Sequence, residues 1–376
     1  MTRSNDVLLV VSADVPAVLG GNGAQHGPRK DYLELQRELG ATMLDRSWVS
    51  RSRFSRMLAR MCGASVAQAW LAFQYRRRYR AIFTDGEHIG IPLALFLKLA
   101  RARTPHVTIG HRITAGKKRL FFRGLGVQSH IGRIVLHSRR QCELAVTDLG
   151  IQQERLTFVP YQVDVDFWRP RDVREERLIS SAGLEFRDYP TLISAVDGLD
   201  VHVVIGAASY WSRRRNNASE ALLPSGVEVG AFNYDQLRDL YARSAIVVVP
   251  LVDVDFQAGV TSILEAMAMG KPVIVTRTQG QTDVVEDIAD ATGPQRVSLL
   301  RPLAEEAGVA LEPTGIYVPP ADPVALRNAI IYLLDHPDER RRLGSAGRRT
   351  VEQLMRVDQF ASRLGRVVEQ VTRTAA

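Results

Sequence analysis

The sequence has little cysteine: Cys62 and Cys142 are the two among 376 residues. They stand in unrelated contexts, without a Cys-x-x-Cys pair or nearby histidines at metal-ligand spacing. Disulfide frameworks and structural zinc sites depend on such spacing. The sequence therefore argues against both, and it favours a reducing, cytoplasmic compartment.

Long hydrophobic runs are also missing. The N-terminal run, Val7–Val11, is shorter than the hydrophobic region of a signal peptide, and no stretch reaches the roughly 18 apolar residues of a membrane span. The composition, 45% hydrophobic and 24% charged, is that of a globular protein. Because 376 residues exceed what one core usually supports, we expect two domains.

Acidic residues are scarce between positions 46 and 142. Asp85 and Glu87 are the two acids there, against twenty lysines and arginines. This segment therefore has a net charge of about +18 and the rest of the chain about −10, which together give the net charge of +8. Such a segment favours an anionic partner, namely acidic lipid, a phosphorylated acceptor or nucleic acid. A solvated arginine-rich surface is the equally weighted alternative.

Buried strands alternate with helical segments along the whole chain. Short β-branched runs at Ala81–Thr84, Leu178–Ala182 and Ile246–Val249 are each followed by a helix pattern. This alternation predicts α/β domains with doubly wound parallel sheets. The stretch 163–177 is the best linker candidate, so we predict an N-terminal domain over 1–165, a second over 166–350 and a C-terminal segment over 351–376, with its helix over about 351–371 packing back on the first domain.

The most informative stretch runs from Phe256 to Val275 and combines a loop, a helix and a strand. Ser262 and Glu265 have the spacing of a capping box, which predicts a helix start near Ser262. Gly270 fits the position just after the helix. Because a helix after a parallel strand presents free N–H groups at its N-terminus, the stretch predicts a phosphate-binding site.

A glycine-rich loop, 19–28, follows the first strand. Gly21 and Gly23, with Asp45 further on, loosely imitate a dinucleotide fingerprint, but the third glycine is missing. The milder interpretation is a loop that lets a ligand approach the backbone.

An amphipathic pattern occurs in the basic segment. Phe54, Met57, Leu58 and Met61 have helical spacing, with arginines on another face. Such a helix can lie on an anionic membrane. Packing of the apolar face on its own domain is the favoured interpretation.

Several motifs resemble those of one enzyme family. They are Gln257–Ile274 (a Glu-x7-Glu segment trailed by Glu-Ala-Met-Ala-x-Gly-Lys-Pro-Val-Ile), Gly280–Val285, Gly315–Pro323, Val163–Pro170 and Thr108–His111. The chain resembles a GT-B glycosyltransferase of the retaining family four, the glycosyl transferases group 1. The resemblance implies two Rossmann-like domains facing a cleft, an N-terminal domain on the acceptor side and a C-terminal domain that binds a nucleotide-sugar.

The resemblance also implies roles for individual residues. Glu265 would hold the ribose hydroxyls, and a carboxylate can accept from both. The N–H groups of Val260, Thr261 and Ser262 would bind the diphosphate, with Gly259, Gly183 and Gly21 allowing close approach. Arg187 would neutralise the leaving diphosphate, and His111 would hydrogen-bond the transferred sugar. Glu87 and His88, at a strand end, are guessed to face the acceptor.

Two positions depart from the family pattern. Gln257 stands where the family has a glutamate, and Leu184 replaces a companion arginine of Arg187. An amide can accept one hydrogen bond and donate others but carries no charge. Gln257 is therefore predicted to alter sugar selection or rate.

The chemistry implied needs no protein nucleophile, metal or cofactor, since the donor phosphate takes the acceptor proton and the enzyme stabilises charge. The acceptor is expected to be anionic or lipid-linked, with peripheral membrane contact through residues 46–142 and no nucleic acid. Besides a degenerate transferase that binds without turnover, which Gln257 and Leu184 favour, two alternatives stay open. One is a metal-dependent GT-A transferase using Asp253 and Asp255 as an Asp-x-Asp site. The other is a non-catalytic binder of nucleic acid or membranes.

Overall fold

The computed structural model describes residues 6–15, 27–208, 223–291 and 298–375. The chain divides into two compact units. Unit 1 comprises Met1–Pro160 with Val357–Ala376, and unit 2 comprises Tyr161–Arg356. In the described part of the chain, no helix is both long and apolar enough to cross a bilayer.

Unit 1 contains a six-stranded parallel sheet in the order β2-β1-β3-β4-β5-β6. The strands are β1 (Val7–Val10), β2 (Thr42–Leu44), β3 (Ala81–Thr84), β4 (His106–Gly110), β5 (Arg133–Leu136) and β6 (Leu156–Phe158). The helices are α1 (Asp31–Leu39), α2 (Arg53–Cys62), α3 (Ala64–Tyr75), α4 (Glu87–Leu99), α5 (Arg139–Thr147) and the C-terminal helix (Val357–Ala375).

Both faces of this sheet are covered by helices. The C-terminal helix and α1 supply Phe360, Leu364 and Leu35 to the core on one face. On the other face α3 and α4 contribute Leu71 and Leu93. Burial on both faces explains why the strands are continuously apolar instead of alternating.

Unit 2 repeats the plan with the strand order β12-β11-β10-β7-β8-β9, again parallel throughout. The strands are β7 (Leu178–Ala182), β8 (His202–Ala208), β9 (Val227–Ala231), β10 (Ile246–Val249), β11 (Val273–Thr276) and β12 (Gly315–Val318). The helices are α6 (Tyr189–Val196), α7 (Tyr234–Arg243), α8 (Val260–Ala268), α9 (Arg301–Ala307), α10 (Pro323–Asp335) and α11 (Pro337–Leu354).

The unit boundaries differ from the predicted ones at 165 and 350. Trp168 is buried in the core of unit 2, and the preceding residues already belong to it, since Val163 N donates to Met355 O over 2.9 Å. The predicted final helix over 351–371 also needs correction. Its first residues complete α11, and the C-terminal helix begins at Val357.

Two further local expectations differ from the structure. The sequence of residues 291–312 shows no regular strand or helix pattern and predicts an inserted loop, but the region contains α9 among its described residues. Helix α2 forms where predicted, but its apolar stripe packs only in part, through Leu58 and a contact of the Phe54 ring with Trp70. Its most buried residue is Ser55, 1% exposed, whereas Phe54 and Met57 are about half exposed, 47% and 50%. A small residue permits close helix packing, and this decided which face turns inward.

Candidate functional site

The sheet of unit 2 has its topological switch point between β7 and β10. From β7 the chain proceeds outward through β8 and β9, and it then returns to the other side of β7 with β10. The loops after these two strands therefore diverge at the carboxyl edge, where open α/β sheets bind ligands. The loops are residues 183–188 and 250–259.

Helix α8 starts at this switch point, and no side chain caps its N-terminus. Gly259 precedes it with φ of +74°, and a Cβ there would lie 2.9 Å from Val249 Cγ1, so both the backbone angle and the space require glycine. The first intrahelical bond is donated by Ile263 N to Gly259 O over 3.1 Å. The N–H groups of Val260, Thr261 and Ser262 consequently have no acceptor within the helix.

The predicted capping box is wrong. The helix starts at Val260, so Ser262 lies inside its first turn and no side chain caps it. The Oγ atom of Ser262 donates instead to Ala182 O, over 3.2 Å, and accepts from Arg187. Glu265 is therefore not a capping glutamate.

Arg187 ties the end of β7 to the first turn of α8. Its Nε donates to Ala182 O at 2.9 Å and its Nη2 donates to Ser262 Oγ at 3.0 Å. Its Nη1 donates to Glu185 O at 3.0 Å, and the residue is 7% exposed. Gly183 makes room for it, because a Cβ there would lie 2.3 Å from Nη2.

Glu265 supplies the buried counter-charge. It is 7% exposed, and it lies on the second turn of α8 near Arg187 and Tyr241. Burial lowers the pKa of Arg187, partly opposed by Tyr189, Tyr241 and then the Glu265 carboxylate, and the guanidinium remains charged. Burial and the same carboxylate raise the pKa of Tyr241, which therefore stays protonated. The result is a buried cation and anion directly behind a free helix N-terminus.

The turn that carries Arg187 is held in a strained backbone conformation. Phe186 has φ of +57°, a left-handed value that costs a non-glycine residue about 1 kcal/mol. Val252 N donates to Phe186 O over 3.0 Å, and the rings of Phe186 and Phe256 make an edge contact with centroids 4.9 Å apart. These contacts fix the two loops of the switch point against each other.

The two aspartates of the Asp-x-Asp alternative lie in the second loop. Asp253 uses both carboxylate oxygens on Gln279, accepting from its backbone N at 2.9 Å and from Nε2 at 3.2 Å. Gly280 N donates to Val254 O at 2.8 Å. Asp253 thus anchors the loop, and across the described ranges no three His, Cys, Asp or Glu residues group as a metal site would require.

Gln257 lies in the same loop, just before α8. Its Oε1 atom is buried and has no hydrogen-bond partner among the described residues. The neighbouring Ala258 O accepts from Gln281 Nε2 over 2.8 Å, which fixes the backbone beside it. The position thus presents a side-chain acceptor with no partner within the described chain.

The corresponding edge of unit 1 carries His111. The switch point of this sheet lies between β1 and β3, where Asp85 accepts from Ser12 N and Ser12 Oγ at 2.8 and 3.0 Å. The exposed imidazole of His111 interacts with Asp85 O through Nε2 at 3.0 Å. Gly86 lies beneath the rings of His88 and His111. Gly21, predicted at this edge, lies outside the described residues.

Glu87 does not face outward, as guessed for an acceptor contact, because it is 4% exposed. It accepts from His111 N and Arg112 N at 3.0 and 3.2 Å and pairs with Lys118 Nζ at 2.6 Å. Although burial raises the pKa of Glu87, the Lys118 ammonium and these hydrogen bonds lower it to about 2. Glu87 therefore positions the loop that carries His111.

Replacing Glu87 with glutamine should reduce stability in a pH-dependent way. The unfolded carboxyl has a pKa of 4.5 and the folded one about 2. Its contribution, roughly 3 kcal/mol, is complete above pH 4.5 and is lost as pH falls toward 2. Chemical denaturation of both proteins should show a difference near neutral pH that shrinks by pH 3. The exposed Glu154→Gln variant is the control, and a difference independent of pH would refute this assignment.

Of the residues predicted from sequence, the structure brings together Arg187, Gly183, Gly259, Ser262 and Glu265, with Val260 and Thr261 beside them. His111 belongs to unit 1. Sequence reasoning missed Tyr241, which lies beside Glu265, and Lys118, which holds Glu87. Neither has a local signal, since their partners are distant in sequence.

Comparison with known proteins agrees with this geometry. Residues 186–336 match the family described as glycosyl transferases group 1. The MMP α-(1→4)-mannosyltransferase of Mycolicibacterium hassiacum is 27% identical over 244 residues, which cover 61% of this chain and 52% of that protein. The chain thus spans about half the length of this curated relative.

Solved structures resemble nearly the whole chain. Sucrose-phosphate synthase from Thermosynechococcus elongatus has a TM-score of 0.67 at 16% identity, covering 98% of this chain and 100% of that one. Anabaena Alr3699/HepE in complex with UDP-glucose has a TM-score of 0.64 at 13% identity, covering 97% and 99%. The GT-A alternative is therefore wrong in fold. The match to the glycosyl transferases group 1 covers residues 186–336, within unit 2, and the chain has the GT-B fold, two Rossmann-like units with parallel sheets.

Proposed function

We propose that this protein is a retaining glycosyltransferase that moves a sugar from a nucleotide-diphosphate donor to an acceptor hydroxyl. The observation that carries the proposal is the switch point of unit 2. There the free N–H groups of Val260–Ser262 stand in front of the buried Arg187 and Glu265 pair. This arrangement suits a ligand with a diphosphate and neighbouring hydroxyls.

The diphosphate binds at the N-terminus of α8 in this proposal. Three backbone N–H groups and the positive end of the helix dipole favour an anion there. Arg187 lies directly behind, hydrogen-bonded to Ser262, and adds a fixed positive charge. Charge that develops on the leaving diphosphate is then stabilised by groups that need not move.

Glu265 is proposed to accept hydrogen bonds from the ribose hydroxyls. Its burial next to Arg187 and Tyr241 fixes its position. Gln257, whose Oε1 has no partner within the described chain, is proposed to bind the transferred sugar. His111, exposed on unit 1, is proposed as a second ligand of that sugar.

The relatives support a nucleotide-sugar donor. HepE was solved with UDP-glucose, and the mycobacterial relative is named for an α-(1→4) mannosyl transfer. The positive charge at the diphosphate comes from the chain itself, so we propose that no metal ion or other cofactor is required.

The acceptor is proposed to be anionic or lipid-linked, at the inner face of the membrane, and not a nucleic acid. Residues 46–142, which carry twenty basic and two acidic residues, form most of unit 1. A basic unit attracts anionic substrates and surfaces.

A thermal-shift panel of UDP, GDP, ADP and dTDP tests the donor site. At least one nucleotide should raise the melting temperature, because a ligand that binds the folded state stabilises it by mass action. The shift should be equal in EDTA. If no nucleotide shifts the melting temperature, the transferase proposal fails. A shift abolished by EDTA and restored by Mn²⁺ would instead overturn the metal-independent part.

A further inference from the structure

Helix α2 exposes large apolar side chains to solvent. Phe54 is 47%, Met57 50% and Met61 74% exposed. At about 100° per residue these three positions fall within about 60° of one another on the helix. They therefore form one apolar ridge, which we call the α2 ridge.

The outward orientation of the ridge is fixed by what the helix buries. Ser55 is 1% exposed, and Leu58 and Ala59 pack against the core of unit 1. Ser52 caps the helix, accepting from Ser55 N. Turning the ridge inward would require exposing this packed face, so the exposed ridge is a stable feature of the fold.

Exposed arginines flank the ridge on one side. Arg53, Arg56 and Arg60 lie roughly 100° around the helix from the ridge centre. Arg56 Nη1 donates to Ser50 O at 2.9 Å, which holds this side chain along the helix. When the apolar ridge points away from the protein, the arginines therefore project from the side of the helix.

We propose that α2 is a docking element for an anionic lipid bilayer, with the α2 ridge inserted among the acyl chains and the arginines on the lipid headgroups. A basic amphipathic helix lies in the interface plane in this manner. The charge of residues 46–142, about +18, adds long-range attraction to an anionic leaflet. Only the purpose of this docking, which is to bring the enzyme to a lipid-linked acceptor, rests on the proposed function.

The size and charge of the surface favour a bilayer over a second copy of the chain. A stable protein interface needs about 20 residues on each side, whereas the ridge consists of three side chains. Two copies meeting through this helix would also bring their arginines together. Anionic lipid satisfies both the apolar ridge and the positive flank.

Vesicle flotation with the full chain tests the proposal. The protein should float with vesicles of equal parts phosphatidylglycerol and phosphatidylcholine and stay at the bottom with pure phosphatidylcholine. The triple variant Phe54→Ser, Met57→Ser, Met61→Ser should bind at least tenfold more weakly. Arg53→Gln with Arg60→Gln should lose roughly twentyfold or more, since each basic residue near an anionic surface contributes about fivefold.

Val324→Ser is the matched control, because Val324 is 66% exposed on unit 2. It should bind vesicles like the wild type. The arginine variants and Val324→Ser should keep the wild-type melting temperature, because the replaced side chains are exposed. The triple variant loses the contact of Phe54 with Trp70 and should melt somewhat lower, but well above the temperature of the flotation experiment. No binding to anionic vesicles, or equal binding by the triple variant, would overturn the inference. Binding to RNA without binding to vesicles would overturn it as well.

The result can be separated from that of the donor-site experiment. Nucleotide-induced thermal shifts are measured on the same preparations, and the α2 variants should keep them because the proposed donor site belongs to unit 2. A protein that floats with anionic vesicles but responds to no nucleotide would remove the proposed function and leave the docking surface standing.

Discussion

Replacing Arg187 with lysine is expected to lower kcat/KM of sugar transfer by about a hundredfold or more. The guanidinium reaches Ala182 O, Glu185 O and Ser262 Oγ at once, over 2.9 to 3.0 Å. Lysine has a single ammonium on a flexible stem and cannot reproduce this planar geometry. The positive charge would survive, but its position behind the helix N-terminus would not.

Steady-state kinetics with a nucleotide-sugar of the nucleotide identified in the panel measures the effect, and melting temperatures check folding. Arg187→Ala should lower both kcat/KM and the melting temperature further than Arg187→Lys. It would leave Glu265 as an uncompensated buried charge, which should lower the free energy of unfolding by roughly 3–5 kcal/mol. The control is Glu185→Gln, an exposed position on the same turn that should change little. Wild-type kcat/KM in Arg187→Lys would show that the arginine serves only to hold the turn.

Replacing Glu265 with glutamine is expected to weaken nucleoside diphosphate binding by roughly ten- to hundredfold. Hydrogen bonds to a charged acceptor contribute about 1.5–3 kcal/mol, and glutamine keeps the shape while removing the charge. Titration calorimetry with the nucleotide identified in the panel measures the dissociation constant. The substitution leaves the α8 N-terminus intact, because Glu265 has no capping role.

Pyrophosphate separates a ribose contact from general damage to the site. It carries the diphosphate but no ribose, so Glu265→Gln should not weaken its binding. Gln257→Ala provides the converse control, since it should change the preference among donor sugars and spare nucleotide affinity. If Glu265→Gln weakens nucleotide and pyrophosphate binding equally, the residue acts through Arg187 and does not contact the ribose.

At the start of α8 the sequence predicted the right residues for the site but the wrong local structure, a capping box. Ser262 and Glu265 have capping-box spacing, and local sequence favours a helix start there. In the fold the helix starts earlier, after Gly259, because Arg187 in the turn after β7 donates a hydrogen bond to the Ser262 hydroxyl. A tertiary hydrogen bond overrode a local preference.

Helix α2 illustrates the opposite case. Its amphipathic pattern predicted a helix correctly, but periodicity identifies an apolar stripe without saying what covers it. Packing was favoured, and it holds for Leu58 and in part for Phe54, whose ring contacts Trp70, but not for Met57 and Met61. Whether Ser55 or the ridge turns inward depends on the surface that α3 and the core offer, which the helix sequence does not contain.

The sequence by itself determined the alternation of buried strands and helices, the parallel α/β class, the family motifs and most residues at the unit 2 switch point. These follow from short-range patterns: β-branched runs, glycines at positive φ, and residue spacing. The tertiary structure alone decided the strand order that makes β7 and β10 neighbours, the Glu87 and Lys118 pair, and the outward face of α2. Each of these depends on contacts between residues far apart in the chain, where packing and burial outweigh local preference.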